Sequence, residues 1–86
     1  MARVTIRYWA AAKEAAGVAE DMVEAGTLAQ ALDAALARRD SGGMLGRVIA
    51  RSSFLVDGAP AGRRIAADLA LYDGAVIEVL PAFAGG

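Results

Sequence analysis

The chain has 86 residues with no Cys, no His and a net charge of −1, and 57% of its positions are hydrophobic. That length suits one domain over residues 1–86 with one small core and leaves no room for a second lobe or a deep enclosed cleft. The missing thiols and imidazoles exclude zinc sites, thiol nucleophiles and histidine acid–base chemistry, and the slightly acidic balance argues against nucleic-acid binding by phosphate neutralisation. Arg3, Arg7 and Lys13 interrupt the first apolar residues, so neither an export signal nor a membrane span is expected. With no disulfides to require an oxidising compartment, the expectation is a cytoplasmic protein with no membrane or nucleic-acid partner.

Val4, Ile6 and Tyr8 alternate with Arg3, Thr5 and Arg7, the period of a strand with one face buried and one face wet. Residues 9–17 are rich in Ala and end in Gly, which predicts a short helical turn or wide loop; Trp9 is expected in the core or at its edge. Met22 and Val23 then mark a second strand over 18–24, returning antiparallel to the first. The clearest helix opens at Thr27, whose hydroxyl can cap the first turn while Gln30 completes a capping box. Leu28, Ala31, Leu32, Ala35 and Leu36 form its apolar stripe, with Asp33 and Arg38 facing outward. That stripe requires a sheet to cover, since neither element can bury its apolar face alone.

Ser41-Gly42-Gly43 ends the helix, and Leu45, Val48 and Ile49 suggest one or two further turns. The same glycines do not form a phosphate loop, because no Gly-Lys-Ser/Thr ending follows them. Residues 53–56 read as a third strand, with Phe54 and Val56 on one side and Leu55 on the other, closed by Asp57-Gly58. Pro60 and Gly62 continue the turn, and 63–65 are expected as a short edge strand. After the Asp73-Gly74 turn, Ala75, Ile77 and Val79 alternate with Val76, Glu78 and Leu80 in the last strand, which Pro81 stops. The result is an α+β fold: a mixed four- to five-stranded sheet with one main helix on one face.

Residues 38–64 carry a charge of +4, against −2 before them and −3 after. Such a basic middle is either a solvated face or a dock for an acidic partner. Glu20, Asp21 and Asp73 have no spacing that would enforce a metal or carboxylate site, and Ser52 and Ser53 have no base to activate them. What remains is the ending Pro81-Ala82-Phe83-Ala84-Gly85-Gly86, read as an exposed, flexible tail over 81–86.

From Asp73-Gly74 through Pro81 to Gly85-Gly86, the last strand and tail resemble the C-terminal signature of the MoaD/ThiS family, ubiquitin-like β-grasp sulfur carriers. Tyr8-Trp9-Ala10, Lys13-Glu14, Ala16-Gly17 and the helix start Thr27-Leu28-Ala29-Gln30-Ala31-Leu32 are similar to the molybdopterin synthase small subunits of that family. Lys13, Trp9 and Ala82 stand where those subunits commonly have Arg, Phe and a second proline.

The resemblance implies a tail chemistry supplied from outside. An activating enzyme of the MoeB/ThiF type would use ATP to adenylate the Gly86 carboxyl. A sulfur donor would then displace AMP and leave a C-terminal thiocarboxylate, a 1-thioglycine, with no cofactor bound to the carrier. Gly85 would let the tail thread a narrow channel, and at about 3.3–3.6 Å per residue 81–86 can reach roughly 20 Å. The acceptor implied is the molybdopterin dithiolene, with the chain as the sulfur-donating small subunit beside a catalytic large subunit rather than an enzyme on its own. Thiazole, a cysteine precursor and transfer RNA are the alternative acceptors, and a protein modifier or non-carrier interaction module is the alternative class. The family's docking surface, the open sheet face and the strand leading to the tail, implies Leu55, Leu80, Pro81, Ala82, Phe83 and Ala84 as partner-binding residues, with Arg64 a charged neighbour.

Overall fold

The computed structural model describes residues 1–40, 42–62 and 69–82. Period-two alternation makes β1 (Ala2–Tyr8), with Ala2, Val4, Ile6 and Tyr8 buried. A short helix α1 (Ala11–Ala16) follows and is ended by Gly17 in the left-handed conformation, which removes the Cβ penalty at that stop. Strand β2 (Glu20–Ala25) returns antiparallel to β1, as the sequence predicts.

Helix α2 (Leu28–Arg39) starts on the expected cap: the Gln30 N–H donates to Thr27 Oγ1 at 3.2 Å. The Gln30 side chain reaches back one residue further than the standard box and accepts from the Gly26 N–H at 2.7 Å. Leu28, Ala31, Leu32 and Ala35 are buried on its inner face, against β2 and β1. Gly42 and Gly43, both at positive φ, connect to α3 (Met44–Ala50), whose Leu45 is fully buried. The connector reading of the glycines therefore holds.

Strand β3 (Ser52–Val56) and β4 (Ala59–Pro60) form a hairpin around Asp57 (φ 52°) and Gly58 (φ 82°), the paired positive φ values of a type I′ turn. This corrects the expectation at Pro60, placed by sequence in the turn. Pro60 pairs with Leu55 in an edge strand, where a residue without an N–H is tolerated. The edge strand expected over 63–65 lies outside the described residues.

Strand β5 (Val76–Pro81) runs parallel to β1 and antiparallel to β3, so the sheet order is β2-β1-β5-β3-β4. Pairing parallel to β1 and antiparallel to β3 places β5 at the centre of the sheet. Ile77 and Val79 anchor it in the core beside Ile6 and Tyr8. The mixed five-stranded sheet with helices is the ubiquitin-like β-grasp architecture expected from the sequence, with α1 and α3 adding Ala12, Ala16 and Leu45 to the core under α2.

Ala10, between β1 and α1, has φ 48° and ψ −122°, a conformation in which a Cβ crowds the backbone. Ala10→Gly removes that crowding and is expected to stabilise the domain by about 1 kcal/mol. A rise in the urea midpoint with an unchanged slope checks it.

Candidate functional site

The site is built at the end of β5. Side chains at 76, 78 and 80 face away from the helices, because 75, 77 and 79 are buried beneath them. In register across the sheet, Glu78 lies between Arg7 of β1 and Leu55 of β3, and Leu80 lies opposite Ser53. Leu55 and Leu80 are therefore diagonal neighbours on the open face, each partly exposed.

Trp9 completes this surface, against expectation. It is 48% exposed, not core. Its indole N–H donates to Glu78 Oε1 at 3.1 Å, while its backbone N–H holds the Val79 carbonyl at 3.2 Å. The period-two pattern already contained this result: residues 3, 5 and 7 face water, and 9 continues them. Glu78 was legible in the same way, as the polar position of the last strand. Arg7, opposite Glu78 in the ladder, instead makes its ion pair with Glu20 at 3.3 Å.

Pro81 is the last residue of β5 and stands opposite Ser52, and the Ala82 N–H donates to the Arg51 carbonyl at 3.3 Å. The tail is expected from Pro81; Pro81 and Ala82 are instead held beside Ser52 and Arg51 at the end of the central strand. Pro81 joins the ladder without an N–H to donate, and β5 ends there, where the resemblance places the base of the tail. Phe83, Ala84, Gly85 and Gly86 lie outside the described residues, as does Arg64.

Among the described residues the buried charge lies elsewhere. Asp21, 5% exposed, accepts from Tyr8 Oη at 2.9 Å and from two nitrogens of Arg39 at 2.7 and 3.0 Å, with Arg38 at 3.4 Å. The Arg39 guanidinium holds the Asp21 carboxyl below the usual carboxylate range, against the opposite effect of burial. Burial, and then the bond to Asp21, pushes the Tyr8 phenol upward. Arg38, expected to point outward into water, is exposed but fixed by Asp21 and by the Met22 carbonyl at 3.2 Å. This cluster ties α2 to β1 and β2. Among the described residues no group of three or more acidic side chains is arranged to hold a metal ion, and no helix is long and apolar enough to cross a membrane.

The arrangement is a platform: the outer face of the central strand carries Glu78 and Leu80, flanked by Leu55 and Trp9. Such a platform can present a chain end to another protein's chemistry.

Comparison with known proteins agrees with this reading of the fold. The structure resembles the solution structure of small archaeal modifier protein 1 from Methanosarcina acetivorans, with a TM-score of 0.84 and 22% identity over all of this chain and 98% of the other. It also resembles small archaeal modifier protein 1 from Haloferax volcanii, with a TM-score of 0.79 and 22% identity over 98% of this chain and 99% of the other. A third likeness is to a protein–protein complex of subunits 1 and 2 of molybdopterin-converting factor from Helicobacter pylori, with a TM-score of 0.69 and 23% identity, covering 98% of this chain and 99% of the matched one. At these identities the likeness is one of fold. No curated protein gives a significant sequence match. The model of the ThiS family matches residues 6–86, nearly the whole chain with β5 and the terminal glycines included, and the chain belongs to that family.

Proposed function

We propose that this chain is a cytoplasmic sulfur carrier, the small subunit of a molybdopterin synthase, whose Gly86 carboxyl is the working group. The observation that carries the reading is a ThiS-family β-grasp whose central strand stops at Pro81, shortly before a closing Gly85-Gly86.

A carboxylate is a poor electrophile because resonance and charge both oppose attack. An activating enzyme of the MoeB/ThiF type joins the Gly86 carboxylate to the α-phosphate of ATP, releasing pyrophosphate. A sulfide-level donor then attacks the acyl carbon, the bond to AMP breaks, and a thiocarboxylate remains. Delivery of that sulfur inside the large subunit gains the proximity of a tethered reaction. Leu55, Leu80, Pro81 and Ala82 present the tail, with Phe83 and Ala84 as its own contacts. In this reading the carrier need supply no acid or base of its own, in keeping with a sequence lacking His and Cys. The Helicobacter pylori complex of subunits 1 and 2 supports a large-subunit partner.

Likeness to small archaeal modifier protein 1 favours a second reading, in which the same activated Gly86 is joined to a lysine amine of another protein. Intact-mass measurement after incubation with the activating enzyme, ATP and a sulfide donor distinguishes the classes. Oxygen-to-sulfur exchange at the terminus is the expected result; an unchanged mass would sink the carrier reading, and adducts on lysines without sulfur transfer to the pterin precursor would favour the modifier.

A further inference from the structure

The basic middle of the chain divides once it is folded. Arg38 and Arg39 are engaged by Asp21, and residues 63 and 64 lie outside the described residues. Arg47 and Arg51 are left one helical turn apart, in α3 and at its C-cap. Both are exposed, and neither has an ion-pair partner among the described residues.

The two arginines border a groove of about 430 Å³ between α3 and the end of β5, walled also by Met44, Val48, Pro81 and Ala82. Among the described residues no carboxylate lines it, and Met44 is 53% exposed. The groove is joined to the base of the tail, since the Arg51 carbonyl accepts the Ala82 N–H. A protein that takes hold of the chain beyond Ala82 therefore comes alongside both guanidiniums. The surface joins two cations to an apolar floor on a chain of net charge −1, which suits a protein segment carrying acidic and apolar side chains better than a polyanion.

We infer that the groove between α3 and β5 is a docking site for an acidic, partly apolar segment of the protein that activates the tail. The inference rests on the carrier reading, because activation precedes every later use of the tail. It assigns a second contact surface, on the helix side of β5 and separate from the open sheet face that bears Leu55 and Leu80.

The test is conversion kinetics with the cognate MoeB/ThiF-type enzyme, ATP and a sulfide donor, with thiocarboxylate read by intact mass as carrier concentration and salt are varied. The double variant Arg47→Glu/Arg51→Glu is expected to raise the KM for carrier roughly tenfold or more with kcat unchanged, since like charges then meet across the contact. The wild-type KM should rise with salt, and that dependence should reverse in the double variant, where salt screens a repulsion. Arg47→Lys/Arg51→Lys keeps the charge and most of the affinity. Arg3→Glu, at the far end of the sheet, leaves KM unchanged; an equal rise there would reduce the effect to net charge and overturn the site. Wild-type KM and salt dependence in the double variant, with wild-type carrier converted normally, would refute the groove alone. No conversion of wild-type carrier would refute the carrier reading and the groove together.

Discussion

Deletion of Gly86, or addition of one residue after it, is expected to reduce thiocarboxylate formation by more than about a hundredfold while leaving the unfolding midpoint unchanged. Deletion withdraws the terminal carboxyl by one residue, about 3.5 Å. Reacting atoms must approach to about 3–3.5 Å, and misplacement of about 1 Å already costs on the order of a hundredfold. Addition is as damaging for a different reason: the Gly86 carboxyl becomes a peptide carbonyl, and the new terminus lies one residue beyond the activating site. Neither change reaches the anchors of β5, because Ile77 and Val79 are buried several residues earlier and the ladder ends at Pro81. Intact mass reads the first quantity and thermal unfolding the second. Full conversion of either variant would remove Gly86 from the chemistry, whereas loss of both conversion and stability would show that the tail contributes to the fold.

The elements that position this terminus were legible wherever one local rule governed them. Alternation in β1 and β5 marked the buried residues 4, 6, 8, 77 and 79, and Thr27 with Gln30 marked the start of α2. Alternation also placed Trp9 in line with Arg7; only the habit of assigning tryptophan to the core hid it. Pro60 reads as turn in the sequence because a strand of two residues has no period to detect, and proline at a hairpin more often marks the turn itself. Arg47 and Arg51 were visible as charge, but their place beside Ala82 depends on α3 meeting the end of β5, a contact between segments about thirty residues apart that no local pattern encodes. Asp21 shows the same limit. The alternation that buries Val23 and Ala25 also buries position 21, yet a carboxylate is accepted there only because Tyr8 and Arg39 arrive from other elements to satisfy it.

Asp21→Ala is expected to lower stability by about 2 kcal/mol, a fall in Tm of roughly 10 °C for a domain of this size. Ala leaves the Tyr8 hydroxyl buried without its acceptor and removes the anion toward which Arg39 and Arg38 are drawn. The loss stays below that of a fully buried pair, because Arg38 and Arg39 remain partly open to water. Asp21→Asn keeps an acceptor for Tyr8 and should lose less. The pH dependence separates charge from shape. The Arg39 hydrogen bond lowers the Asp21 pKa in the folded state, so its stabilisation is present above the ordinary carboxylate range, near pH 4, and is lost as pH falls through the lowered value. The acid limb of stability is therefore expected to be shallower in Asp21→Asn than in the wild type; some slope persists, because the Tyr72 hydroxyl and the Val76 N–H also lower the Asp57 pKa. At the other end, burial raises the Tyr8 phenol, so its stabilisation holds below the ordinary tyrosine range, near pH 10, and fades above it as the unfolded phenol ionises first. Tyr8→Phe should remove that alkaline loss and leave the acid limb largely in place. Urea unfolding of the three variants across pH reads both limbs, and a wild-type acid slope in Asp21→Asn would show that the buried ion pair has no part in acid sensitivity.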